Sequence, residues 1–351
     1  MKKKWRIQMK AIKLIGFILV LFTPWDVSAA TARERPVRVG YLAVFKGLDT
    51  AIARTRLEDY THFNLAFANP APDGRFVVDG RLGCMPDDTG ENLTIGAVER
   101  TVETLRSHGA KIFLSVGGGT IPACSGDWRS LVGPDHRAAT IASLVALAET
   151  LELDGIDIDL EGQLLTAIDD AGDYTPFIAG LSAALKARHK LLSCATASYE
   201  GGMIPIASIR YFDLVNVMSY DAIGPTWGQP GSEHSSLAGA KRDLDLWLAR
   251  GVPAERLVLG VPYYGYGFGG ERPNWSYRDL VAAYGTDATR ADLIGTPCAT
   301  CRYISFNSPA TIEQKAALAR EKAGGVMVWE LSQDTPDHAL SAAILRGLFG
   351  K

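Results

Sequence analysis

The chain has 351 residues, 47% of them hydrophobic, with 36 basic and 39 acidic side chains and a net charge of −3. That length fills one large barrel or two small domains and needs no staples to bury a core. A charge balance this close to even gives no basis for a nucleic-acid partner.

The N-terminus departs from the rest. Lys2, Lys3, Lys4, Arg6, Lys10 and Lys13 precede an apolar run over 14–22, then Pro24 and the small residues Ser28, Ala29 and Ala30. This order of basic, apolar and small segments predicts a secretory signal over residues 1–30 and a secreted or periplasmic protein. The apolar run is about half the roughly 20 residues that cross a membrane, so no stable membrane association is expected after signal removal. Those 30 residues hold six bases and one acid, a net +5, so their removal takes the charge from −3 to −8. No cysteine lies at the cleavage site to carry a lipid.

From residue 31 onward, short β-branched runs alternate with helical patterns. Runs at 37–45, 62–68, 112–116, 155–160, 192–196, 214–219, 257–263 and 325–329 predict strands. Patterns at 96–107, 138–151, 177–187, 237–249 and 312–321 predict helices. Such alternation implies a parallel sheet with helices outside it. Eight strands over residues 31–351 predict one (β/α)8 TIM barrel, with a doubly wound open sheet as the alternative that alternation alone leaves open. Residues 268–307 are rich in Gly, aromatic and turn residues, with one helical stretch near 277–284. They read as a short insertion after the seventh strand, decorating the C-terminal face of the barrel.

Five cysteines follow the signal, and export permits pairing. Cys298-Ala-Thr-Cys301 lacks the second pair of a zinc ribbon and the strand–helix setting of a redox motif, so a local disulfide is expected. Cys84 and Cys124, both in loops, can form a second bridge. Cys194, in an apolar strand, reads as a buried small hydrophobe.

The fourth predicted strand carries the chemistry. In Leu153-Asp-Gly-Ile-Asp157-Ile-Asp159-Leu-Glu161, the acids Asp157, Asp159 and Glu161 share one face and Ile156, Ile158 and Leu160 the other. In a barrel the apolar face packs under the helices and the acids point inward near the mouth. Ionised neighbours about 6.6 Å apart would repel by roughly 2.5 kcal/mol at an effective dielectric near 20. Ordinary packing has no use for that cost; acid–base catalysis does. Acids fanned along one strand do not surround an ion, and no histidine has ligand spacing with them, so no metal and no cofactor is expected.

Asp154-Gly-Ile-Asp157-Ile-Asp159-Leu-Glu161 resembles the DGxDxDxE signature of glycoside hydrolase family 18, the chitinases and endo-β-N-acetylglucosaminidases. Ser115-Val-Gly117-Gly118 resembles the SxGG of its third strand, Met218-Ser-Tyr220-Asp221 the MxYD of its sixth, and Gly325-Val-Met-Val-Trp329 its eighth strand with the sugar-stacking Trp. The resemblance spans about residues 36–350. It implies substrate-assisted retention on N-acetylglucosamine glycans, an exception to the two-carboxylate scheme. It assigns Glu161 as general acid and base, Asp159 to the substrate's acetamido group, and Asp157, helped by Ser115, to sharing a proton with Asp159. Tyr220 would donate to the acetamido oxygen, Asp221 would bind near the same subsite, and Trp329 would form the floor. Met218, Tyr41, Phe67 and Tyr264 are further candidate binding residues. Tyr263, Tyr266, Phe268, Trp227 and Trp275 lie on predicted mouth loops and could line outer subsites.

The expected activity is endo-hydrolysis of chitin or chito-oligosaccharides by a monomer. Action on N-glycans, or carbohydrate binding without turnover, are its alternatives. Two features depart from the family pattern. Ala222-Ile-Gly-Pro-Thr-Trp227 replaces the aromatic-His-Gly stretch of many chitinases, and the insertion is shorter than that of deep-cleft processive members.

Overall fold

The computed structural model describes residues 36–350 together with Met1; the signal predicted over 1–30 lies outside the described residues. Eight strands form a closed, all-parallel barrel in sequence order: β1 Val37–Ala43, β2 His62–Ala68, β3 Lys111–Gly118, β4 Gly155–Leu160, β5 Leu191–Thr196, β6 Leu214–Val217, β7 Leu257–Pro262 and β8 Gly325–Trp329. β8 pairs back onto β1 through Val37–Gly325, which closes the ring and removes both edges of an open sheet. This is the (β/α)8 TIM barrel that the alternation predicts, and the doubly wound alternative is excluded.

Outward residues of the strands, among them Ile156, Ile158 and Leu160, are fully buried in the apolar layer beneath the helices. Inside the ring the filling is mixed. Val39, Tyr41, Ala66, Val258 and Met327 form an apolar cluster. Asn64, Ser115, Asp157, Ser193 and Asn216 are buried polar residues on strands β2 to β6. A polar layer at this depth must satisfy itself, because each unpaired group would cost about 1–3 kcal/mol.

The predicted helices form with shifted ends, as Ile95–Ser107, Arg137–Thr150, Tyr174–Lys186, Leu237–Ala249 and Pro309–Lys322. Thr94 and Ser236 cap two of them by accepting from Ala97 and Gly239. Gly162–Asp170 and Ala339–Phe349 are also helical. The insertion begins earlier than the sequence pattern suggests and is more ordered. Strands Tyr264–Phe268, Asn274–Ser276, Leu293–Gly295 and Tyr303–Ser305 form an antiparallel sheet around helices Tyr277–Tyr284 and Thr286–Arg290.

Both cysteine pairs are bonded, Cys84–Cys124 and Cys298–Cys301, and Cys194 is free and buried. Among the described residues, no helix is long and apolar enough to cross a membrane.

Candidate active site

The site is built outward from β4. Asp154, at its start, points away from the mouth and accepts the Ile112 backbone N–H at 2.9 Å, fastening β4 to β3. Gly155 is required because a Cβ there would strike the Phe113 ring and the Leu191 carbonyl. The first two residues of the acidic motif therefore set register, and the inward-facing acids begin at Asp157.

Asp157 is wholly buried and accepts from its two neighbouring strands, β3 and β5, and from β1 and β6 further round the ring. Its Oδ2 takes the Tyr41 hydroxyl at 2.6 Å and the Ser115 hydroxyl at 2.7 Å; its Oδ1 takes Ser193 at 2.6 Å and the Asn216 amide at 3.4 Å. Burial raises its pKa, and the hydroxyls of Ser193, Tyr41 and Ser115 oppose that rise. Ser115 is fully buried and gives its hydroxyl to this carboxylate. Tyr41 is buried, commits its hydroxyl to Asp157 and lines the cavity with Glu161 and Trp329.

Asp159 lies one pleat nearer the mouth, opposite Gly117 of β3. Gly117 has φ +102, and a Cβ there would stand 2.5 Å from the Asp159 carbonyl oxygen. The glycine run of β3 thus lets the two strand ends close up beside the acids. Burial, then the charges of Glu161 and Asp157, hold Asp159 well above the usual carboxylate range. Its hydrogen bond runs to Glu161. Asp157 is filled by donors from Tyr41, Ser115, Ser193 and Asn216, while Asp159 turns toward Glu161. Asp159 Oδ1 is buried and has no hydrogen-bond partner among the described residues.

Glu161 stands just past β4 at the N-cap of Gly162–Asp170, with φ −121 and ψ 162, so the strand's alternation continues through it. Its side chain does not cap that helix and instead lines the cavity. Burial, then the Asp221 charge, raise its pKa to about 7.

Around this row lies a cavity of about 440 Å³ that Glu161, Asp159, Tyr220, Asp221, Met218 and Trp329 line. Trp329 contributes its indole to the lining. Phe67 stacks on Trp329 with ring centroids 5.4 Å apart, and Tyr41 meets it edge-on at 5.5 Å. Cis peptide bonds precede Phe67 and follow Trp329. Tyr220 projects its hydroxyl toward the Met327 sulfur at 3.8 Å, and burial raises its pKa well above the ordinary value. Asp221, with φ +62, accepts the Tyr264 hydroxyl at 2.5 Å. Two further clefts continue the cavity. One, of about 640 Å³, shares Glu161, Met218, Tyr220 and Asp221 and reaches Tyr199 and Trp227. The other, of about 540 Å³, shares Trp329 and reaches Tyr264, Tyr266 and Trp275.

Of the loop aromatics, Trp227, Tyr266 and Trp275 reach the groove. Tyr263 is fully buried beside Tyr60 and Ser341, and Phe268 is stacked on Tyr303 at 4.6 Å, so neither is a mouth residue. His234 carries no sequence signal, yet it is fully buried with its Nδ1 3.6 Å from Asp221 Oδ1 and its ring between Tyr264 and Tyr266. Burial lowers its pKa, and the neighbouring Asp221 opposes that shift. Among the described residues, no three His, Cys, Asp or Glu side chains are grouped to hold a metal ion.

Comparison with known proteins agrees with this geometry. The sequence profile described as "Glycosyl hydrolases family 18" matches residues 21–334. The solved chitinase ChiB of Flavobacterium johnsoniae is 29% identical, with a TM-score of 0.74 over 90% of this chain and 94% of that one. A chitinase-like effector of Moniliophthora roreri is 26% identical over 71% of this chain and 62% of its own length. Chitinase 63 of Streptomyces plicatus is 25% identical over 83% of this chain and 56% of its own. The chain thus spans less than two thirds of either curated relative. With an eight-stranded barrel, an acidic row at the mouth of its fourth strand and a profile match across most of its length, the chain belongs to glycosyl hydrolase family 18.

Proposed function

We propose that the protein hydrolyses β-1,4-linked N-acetylglucosamine glycans, chitin or chito-oligosaccharides, by substrate-assisted retention. The observation that carries this reading is the graded acidic row above an aromatic floor. Asp157 is saturated by donors, Asp159 retains an unpartnered oxygen, and Glu161 has a pKa near 7 beside the cavity. A carboxyl still protonated near neutrality suits a general acid. Similarity to proteins named chitinases supports the substrate class.

In this mechanism Glu161 gives its proton to the glycosidic oxygen as the anomeric carbon–oxygen bond breaks. The substrate's acetamido oxygen forms the new bond to the anomeric carbon, giving an oxazolinium ion. Asp159 accepts the acetamido N–H and balances the positive charge, while Tyr220 donates to the acetamido oxygen. Glu161, now a carboxylate, takes a proton from water as that water adds to the anomeric carbon and reopens the ring. Trp329 packs beneath the sugar, whose C–H face suits an aromatic surface. Asp157 acts behind Asp159 through charge, held in place by Tyr41, Ser115 and Ser193.

Residues 1–30 are read as an export signal, a reading that two disulfides support. The intact mass of secreted protein tests it.

Product analysis on chitohexaose alongside a high-mannose glycopeptide tests the activity. Shorter oligosaccharides with a β-anomeric first product are expected from chitohexaose. Glu161→Gln should lower kcat by about 10²–10⁴-fold, the scale of general-acid catalysis. Cleavage of the glycopeptide alone would move the substrate to N-glycans, and binding without turnover in wild type would overturn the hydrolase reading.

A further inference from the structure

The cleft arm that opens from Trp329 on the insertion side differs in charge from the rest of the molecule. Lys46, Arg54, Arg272 and Arg278 line it, together with Trp275 and one acid, Asp279. The chain as a whole is acidic, at −3.

Two of the four cations are neutralised. Lys46 pairs with buried Glu330 at 3.2 Å, and Arg272 pairs with Asp279 at 2.8 Å while lying 4.7 Å over the Trp275 ring. The other two are not. Arg278 donates from Nε and Nη2 to the backbone carbonyl of Asp334 at 3.0 and 2.8 Å. The Asp334 carboxylate is turned elsewhere, accepting from Thr335, Leu340 and Ser341 at the start of the last helix. Arg54 is exposed, and among the described residues neither Arg54 nor Arg278 makes a salt bridge.

Burial, and then the charge of Arg54, push the Arg278 guanidinium below its ordinary range; Asp334, Asp279 and Glu330 oppose that shift without making an ion pair with it. Two guanidinium groups without a carboxylate partner therefore line one arm of the cleft, and their like charges repel. A neutral sugar would offer them hydroxyls but would not relieve that repulsion. A planar or tetrahedral anion would, since guanidinium forks match carboxylate and sulfate oxygens.

We propose that this arm binds an anionic substituent, a carboxylate or a sulfate ester, on the glycan that crosses Trp329, so that the preferred substrate is an acidic N-acetylglucosamine glycan. The proposal rests on the glycan-hydrolase reading above and deepens it. It assigns the insertion a purpose: Arg272, Trp275 and Arg278 all come from it, and Lys46 and Arg54 come from the β1 side of the same arm.

The test measures binding to the full chain carrying Glu161→Gln, which separates affinity from turnover. The probes are chitohexaose, 6-O-sulfated chitohexaose and chitohexaose oxidised to carboxylates at C6; the last two distinguish the source of the charge. At low salt, at least one anionic probe should bind roughly five- to tenfold more tightly than the neutral one, the scale of two partly exposed ion pairs. That ratio should shrink toward one in about 1 M salt, where the screening length is about 3 Å. Adding Arg54→Gln, an exposed position that leaves folding intact, should reduce the ratio, and adding Arg278→Gln should reduce it further. Equal affinity for all three probes overturns the proposal, as does a preference that survives high salt or both substitutions. Cleavage of chitohexaose by wild type with an affinity ratio of one overturns this proposal alone. A clear anionic preference with no cleavage of any probe by wild type overturns the hydrolase reading alone.

Discussion

Glu161 and Asp221 face one cavity from different strand ends, and their charges are linked. Glu161 is held at about 7 first by burial and next by the negative charge of Asp221. As the proposed acid it works protonated, so activity is present below that pKa and lost as pH rises through it. The expected kcat/KM profile on chito-oligosaccharide therefore has its alkaline limb near pH 7. Asp221→Asn removes an anion that favours the protonated form, so the limb should move to lower pH whatever happens to the maximal rate. A limb that stays in place would show that burial alone sets it. His234 extends the same cluster from behind, 3.6 Å from Asp221. Nothing in the run Ser232-Glu-His-Ser-Ser236 announces that contact, which exists because the loop after β6 folds back under Tyr264 and Tyr266.

That loop is held by a helix. Lys315, on Pro309–Lys322, is fully buried and gives its three ammonium protons to Ser235 O, Ser235 Oγ and Asn307 Oδ1, each at 2.7 Å. Ser235 Oγ in turn donates to the Ser219 carbonyl at 2.6 Å, directly before Tyr220 and Asp221. Burial pushes the Lys315 pKa down to about 7, and its three acceptors are the compensation. Lys315→Met keeps the stem's volume but removes three donors and leaves Asn307 Oδ1 buried without its partner. It should cost on the order of 2–3 kcal/mol by chemical denaturation and lower kcat through the displaced Tyr220–Asp221 segment. Unchanged stability would show that the ammonium is not the tie. The barrel strands were readable because β-branched runs of barrel length sat between turn signals, and the acidic row because period two survives into the fold. Gly162–Asp170 and Ala339–Phe349 were not: the first is nine residues long and opens on a glycine, and His338 enters the second at φ +55. The insertion strands are three to five residues long, too short for a period to be counted, and glycines interrupt the strand signal of Tyr264-Gly-Tyr-Gly-Phe268. Lys315, Ser193 and Asn216 carry no motif at all; their roles are contacts across long stretches of chain.

The largest scale concerns how the groove keeps its walls together. The barrel supplies a floor, but the wall opposite Asp221 is made of two excursions, one after β2 and one after β3. Pro86 from the first and Pro122 from the second both line the cavity. The Cys84–Cys124 bond joins these excursions across a sequence separation of 40, whereas Cys298–Cys301 spans 3 within the insertion. In the chain-entropy account the longer loop contributes about 4 kcal/mol and the shorter less than about 2 kcal/mol. Replacing Cys84 and Cys124 together by Ser should therefore lower the melting temperature by several degrees, and replacing Cys298 and Cys301 should lower it by less than half as much. The kinetic consequence follows from position. None of the acids on β4 touches the bond, so its loss should raise KM for long oligosaccharides, which need both walls, while kcat changes little. A fall in kcat with unchanged KM would mean that the bond supports the acidic row itself, through the glycine run of β3 that lies against Asp159.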